Sequence, residues 1–253
     1  MVRRCRACGL LLILLAGATA QAADLLPSWN EGKAKRAILA FVAAATDPAG
    51  PQRIAPEDRI AAFDQDGTLW VEHPFYAQAM FAIDQVRSLA AQHPAWKAER
   101  PFATVLGGDA AALATLSETD WHKRGGKPVL MREPSVFFID DHAGKPVGIH
   151  LFIGKRPAAA FGNADGDAEM LQWTQAGPGL RLRLLVHHDD AAREFAYGPA
   201  GGMPDTKVGT FSTGLLDQAT HDGWLVVSIK RDWRRVFPFE EAATGSARPA
   251  RRP

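Results

Sequence analysis

Apolar positions recur at helical spacing over residues 33–46, with Ala37, Ile38, Phe41, Val42 and Ala45 on one face, and predict an amphipathic helix. Asp47-Pro48-Ala49-Gly50-Pro51 ends it. Ile60-Ala61-Ala62-Phe63 is short and apolar throughout, the pattern of a buried strand. Residues 76–91 return to helical spacing, whereas 92–126 are poor in strand formers and rich in breakers. Residues 129–131 and 136–139 predict a hairpin, and Arg156-Pro157-Ala158-Ala159-Ala160-Phe161 a second buried strand. Beyond it the pattern predicts a strand over 180–186, a short helix over 190–197 and a loop over 198–205. A helix over 214–221 and a last strand over 224–229 follow. Strands that alternate with helices predict a parallel α/β sheet covered on two faces. No internal repeat is present.

The chemistry gathers where two of these strands end. Asp64 and Asp66 follow the first strand within Phe63-Asp64-Gln65-Asp66-Gly67-Thr68-Leu69-Trp70. In an extended chain the two carboxylates point to the same side, and Gly67 permits a sharp turn just after them. Ligands of open α/β sheets bind at the carboxyl ends of strands. One carboxylate can attack there while the other handles a proton, with a cation beside them. The second strand runs into Gly162-Asn163-Ala164-Asp165-Gly166-Asp167-Ala168-Glu169, a cluster that offers only oxygen donors, as hard cations such as magnesium require. It is not a calcium-binding EF-hand loop: the sixth position is Ala168 instead of Gly and the twelfth is Thr174 instead of Glu. An Asx-rich helix N-cap accounts for one acid of the cluster, Asp165 or Asp167.

The first of these runs resembles the D-x-D-G-T signature of the haloacid dehalogenase superfamily, in its phosphatase branch, close to phosphoserine-phosphatase-like members. The second is similar to that family's acidic fourth motif. The family's lysine motif is matched by Gly144-Lys145-Pro146-Val147-Gly148-Ile149, with a helix to Ile153 that ends at Gly154. The resemblance implies a Rossmann-like parallel sheet with helices on both faces and a small, reduced helical cap. It implies a core over 57–75 and 127–242, a cap over 76–126 and an N-terminal helix and linker over 23–56. It also implies a magnesium-dependent phosphomonoester hydrolase: Asp64 the nucleophile, Asp66 the acid/base, Lys145 a fixed cation and Thr68 an orienting group. Magnesium would be held by Asp64, Asp66 through its carbonyl, and Asn163 or Asp167, and the substrate would be a small phosphorylated molecule.

One part of the family pattern is missing. The second motif is a strand that ends in Ser or Thr before Gly, carried by relatives as V-S-G-G. The nearest imitation, Phe102-Ala103-Thr104-Val105-Leu106-Gly107-Gly108-Asp109, puts Thr104 too early and has Leu106 before the glycines. That stretch matches the cap of relatives instead. From Trp121 the chain passes directly to His122-Lys123-Arg124-Gly125-Gly126, so a strand–helix segment of the core is expected to be absent. Two alternative functions follow: a catalytically impaired pseudoenzyme that binds metal or phosphate, and a phosphotransferase to an alcohol.

Two further runs carry potential ligands. His187-His188-Asp189-Asp190 offers four in a row, but neighbours on a strand face opposite sides, and the expected role of Asp189 or Asp190 is to cap the next helix. Glu72 and His73 follow the first motif on a loop, within reach of a substrate or of solvent.

Composition bears on location. Three arginines, an apolar run from Gly9 to Leu15 and Ala20-Gln21-Ala22 predict a cleaved signal peptide over 1–22 and a periplasmic or secreted protein. The run is too short to span a bilayer, so no membrane association is expected after cleavage. Cleavage takes three arginines and no acid from a chain of net charge +1 and leaves −2, which gives no footprint for nucleic acid. Both cysteines, Cys5 and Cys8, leave with the leader, so the mature chain has no disulfide. Residues 243–253 form a basic tail.

Overall fold

Four short strands lie side by side in chain order, all parallel, with helices on both faces: a Rossmann-like α/β fold. The computed structural model describes residues 23–74, 76–108, 138–206 and 208–240. The predicted leader, residues 129–131 and 136–137 of the predicted hairpin, and the basic tail lie outside them. Helix α1 (Lys33–Thr46) comes first, then strand β1 (Ala61–Phe63) and helices α2 (Ala77–Leu89) and α3 (Phe102–Gly107). Helix α4 (Gly144–Ile153), strand β2 (Ala159–Gly162), helix α5 (Ala168–Gln175) and strand β3 (Leu182–His187) follow. Helix α6 (Thr213–His221), strand β4 (Leu225–Ser228) and the short helix α7 (Ile229–Asp232) complete the order.

The strands alternate in whom they face. Ala159, Leu184, Val186, Leu225 and Val227 pack with Ala34, Ala37, Ile38 and Phe41 of α1. Ala160, Leu185 and Val226 pack on the other face with Met170 and Leu171 of α5 and Leu215 and Ala219 of α6. Helix α1 is thus as predicted over its full length, but its apolar face is narrower. Val42 is half exposed. Its first turn is held by Lys35, buried between Asp24 at 2.7 Å and Glu31 at 2.6 Å.

Helices α2 and α3 form a satellite cluster of their own around Val86, Trp96 and Val105, with Trp96 stacked on Phe102. The described part of the breaker-rich stretch after residue 92 contains a 3-10 turn, Pro94–Lys97, and helix α3. Thr104 lies on α3, away from any strand end. Two local expectations change. The short helix predicted over 190–197 is a single turn. The Asp190 carboxylate accepts from the Ala192 amide at 3.1 Å and from Arg193 Nε at 2.6 Å, side-chain bonds that compete with a continued helix. The predicted loop over 198–205 contains a 3-10 turn, Ala200–Gly202.

Candidate active site

The carboxyl ends of β1 and β2 open on a cleft of about 750 Å³, lined among others by Asp64, Asp66, Glu72, Lys145, Asn163 and Asp167. Asp64 leaves β1 with its amide still bonded to Phe161 O of β2 at 2.9 Å, so the sheet ladder fixes its position. The chain then turns sharply. The Leu69 amide donates to Gln65 O at 2.8 Å and the Gly67 amide to Trp70 O at 2.7 Å. Gly67 adopts φ 77°, and a Cβ there would lie 2.1 Å from Asn163 Nδ2, so only glycine fits the turn.

Helix α4 delivers Lys145 in its first turn. The ammonium is 2.5 Å from Asp64 Oδ1 and 2.8 Å from Asp167 Oδ1. Burial works against its charge, yet Asp167 and Asp64 outweigh burial and raise its pKa well above the ordinary lysine range. Burial, then the neighbouring charge of Asp64, pushes the Asp167 carboxyl up, with Lys145 opposing. Asp167 Oδ2 accepts from the amides of Asn163 at 2.8 Å and Ala164 at 3.0 Å. Its Oδ1 is buried and pairs with the Lys145 ammonium at 2.8 Å. Gly162 permits this arrangement, since a Cβ there would fall 2.5 Å from the Asp167 Cβ.

The other expected residues separate into two groups. Asp66 turns toward the cleft rim, where it accepts from Trp70 Nε1 at 2.6 Å and Gln78 Nε2 at 3.2 Å. Asn163 is buried and committed: its Oδ1 accepts from Thr68 Oγ1 at 3.0 Å, and its Nδ2 donates to Glu72 Oε1 at 2.8 Å. Thr68 thereby orients the loop through Asn163. Asp165 accepts from the amide and hydroxyl of Ser212, and that hydroxyl in turn caps α6 by accepting from the Leu215 amide. Asp167 stands at the N-cap of α5 but makes no side-chain cap bond there, so neither acid caps that helix through its side chain.

The His187–Asp190 run splits as strand geometry requires. His187 contacts Ala200 O at 3.1 Å, and burial lowers its pKa. Asp189 accepts from Ser228 Oγ at 2.6 Å and the Lys230 amide at 2.9 Å, at the start of α7. His188 turns to the opposite side and reaches the Gly67 carbonyl. Glu72 is buried, and Tyr197 donates to its Oε1 at 2.6 Å. Burial and then the charge of Glu72 raise the Tyr197 pKa, which keeps the phenol a donor. His73 lies against Tyr197, its Nε2 3.2 Å from Val208 O. Sequence reading did not find His188, Glu194 and Tyr197 as parts of the site. The signal was present: His188 follows β3 at the same strand end that marked Asp64.

Among the described residues no three His, Cys, Asp or Glu side chains form a group able to hold a metal. No family model matches the chain, and no curated protein matches it.

Proposed function

We propose that the cleft hydrolyses a small phosphomonoester through Asp64, by way of an aspartyl-phosphate. The observation that carries this reading is the Lys145 ammonium between Asp64 and Asp167, with Asp66 two residues beyond Asp64 on the same turn. The lysine pairs with Asp64 Oδ1, which leaves the other carboxylate oxygen to attack phosphorus. As the Asp64–phosphorus bond forms, the ester oxygen leaves and takes a proton from Asp66. Asp66 then accepts a proton from water, whose oxygen attacks phosphorus. The acyl-phosphate bond breaks, and Asp64 is restored as inorganic phosphate departs. Lys145 supplies fixed positive charge to the phosphoryl oxygens in both steps.

Magnesium fits the donors. The carboxylates of Asp64 and Asp167 meet on either side of the Lys145 ammonium, and both are hard oxygen ligands. Asp64, Asp167 and the Asp66 carbonyl would hold the ion; a backbone ligand as the third donor agrees with the lack of a third convergent acid. Bound there, magnesium would neutralise charge that develops on the phosphoryl group. The Asn163 carboxamide would instead steady Thr68. The protein is read as periplasmic or secreted, on the strength of its leader.

The open outer edge of β1 favours a second reading, a slow or impaired member of the same class. Among the described residues no strand pairs with that edge, where the second motif of relatives would lie. Phosphate release should be measured across a panel of phosphomonoesters, with magnesium or chelator, for the mature chain and Asp64→Asn. Release that needs both magnesium and Asp64 supports hydrolysis. Release that survives both changes, or none from any ester, overturns it. Added acceptor alcohol that diverts phosphate into a new ester would identify a transferase.

A further inference from the structure

We infer that His188, held by Glu194, is a positioning residue that fixes the turn bearing Asp64 and Asp66; its catalytic consequence rests on the proposed hydrolysis. Three observations meet here. His188 Nε2 lies 2.6 Å from the Gly67 carbonyl, a contact between residues 121 apart in the chain. A carbonyl only accepts, so this nitrogen carries the hydrogen. Glu194 Oε1 lies 2.8 Å from Nδ1, with side-chain exposures of 6% and 4% for the pair, so the carboxylate sets the angle of the ring. The ring also stacks on Tyr197 at 4.6 Å and 17°.

Tyr197 continues the grip on the same turn. Its hydroxyl donates to Glu72, Glu72 accepts from Asn163, and Asn163 accepts from Thr68. The turn is therefore held at two consecutive residues: Gly67 by its carbonyl, Thr68 by its hydroxyl. Both ties run to rigid ground. His188 directly follows β3, whose Leu184 and Leu185 are buried, and Asn163 directly follows β2. The turn has few anchors on the β1 side, since β1 is three residues long and pairs only with β2 among the described residues. Without His188 the Gly67 carbonyl loses its donor, and the turn that aims Asp66 keeps its local bonds and the tie through Thr68. Misplacement of about 1 Å costs about 10²-fold in rate.

The comparison is wild type, His188→Phe, His188→Gln and Glu194→Gln. Phe keeps the stack on Tyr197 without the donor, and Gln restores a donor near the Nε2 position. Two readouts are taken: hydrogen exchange of the amides in residues 64–70, and kcat and KM for phosphomonoester hydrolysis. His188→Phe should exchange roughly tenfold faster in that segment, the effect of one lost hydrogen bond. Its kcat should fall about 10²-fold at nearly constant KM. His188→Gln should recover most of both, and Glu194→Gln should lie between. Wild-type exchange in His188→Phe, no recovery in His188→Gln, or a loss confined to KM overturns the inference. If wild type releases no phosphate, the proposed hydrolysis fails and the exchange result alone decides the positioning role. If His188→Phe does not fold, faster exchange of residues 64–70 in folded Glu194→Gln supports the inference, and unchanged exchange overturns it.

Discussion

The two flanks of the sheet are built differently. On the β4 side, α1 lies across the strands, Val227 is fully buried, Ile229 is 5% exposed, and Trp29 stacks on Trp233 at 4.4 Å to tie the ends of the described chain together. On the β1 side Phe63 is 47% exposed, stacked only on Phe161 of the neighbouring strand. Helix α4, which turns Lys145 into the cleft, leaves Val147, Leu151, Phe152 and Ile153 exposed. The site straddles the boundary. Its anchors, Asn163, Asp167 and His188, come from the packed strands β2 and β3, whereas the proposed nucleophile comes from the thin edge. The contrast teaches that, among the described residues, Asp64 is held by β2 through the Phe161 carbonyl and by Lys145 of α4.

The largest effect should come from the group that joins the flanks. Lys145→Met removes the fixed cation between Asp64 and Asp167, and hydrolysis should drop about 10² to 10³-fold. The same variant leaves two facing carboxylates uncompensated and should melt lower. Its pH signature is defined. Burial opposes the Lys145 charge, but Asp167 and Asp64 raise its pKa above the usual 10.5. Its stabilisation is therefore fully present below about pH 10.5 and lost as pH rises through the folded value. In magnesium-free buffer the melting gap between wild type and Lys145→Met should be present at neutral pH, narrow in strong alkali as Lys145 loses its proton, and narrow in acid as Asp167 and Asp64 gain theirs. A gap that does not change with pH would contradict the pairing.

Next in size is repair of the thin flank. Inserting a V-S-G-G segment between Trp121 and Gly125 should raise the rate by about 10² to 10³-fold, the worth of one transition-state donor. The melting temperature should rise as a covered edge buries more apolar surface. Equal rates and melting temperatures for both forms would show that the gap is harmless.

The smallest effect separates the flanks by stability alone. Leu185 is fully buried, so Leu185→Ala should cost about 2 to 5 kcal/mol in urea unfolding. Phe63→Ala, on the open edge, should cost less, since its ring is already half in water. Equal losses would mean that the edge is packed as firmly as the centre.

Regular elements were legible where punctuation agreed with pattern. Helix α4 runs over Gly144–Ile153 as predicted because Gly154, at φ 72°, closes it in a left-handed C-cap. The α/β class followed from alternation of short apolar runs with helical spacing. The meeting of Asp64, Lys145 and Asp167 was legible only through motif resemblance, since periodicity says nothing of which strand ends adjoin. Asn163 was expected as an oxygen ligand from its residue type, but side-chain type does not reveal that Thr68 and Glu72 already occupy both ends of its carboxamide. The turn at Asp190 escaped because a side-chain bond to Ala192 competes with helix spacing, and residue pattern is blind to that bond. The place of His188 at a strand end was legible, but its bond to the Gly67 carbonyl was not, because a backbone partner leaves no mark in sequence.

The central claim is that Asp64 carries the phosphoryl group, and trapping it is the most direct test. Asp66→Asn should slow release of the acyl-phosphate by removing the group that activates water. The variant, mixed with an aryl phosphate and magnesium and quenched in acid, should gain one phosphoryl group by intact-mass spectrometry. Peptide mapping should place that group on Asp64, and Asp64→Asn/Asp66→Asn should gain none. A phosphoryl group on any other residue, or equal labelling of the double variant, would contradict the account.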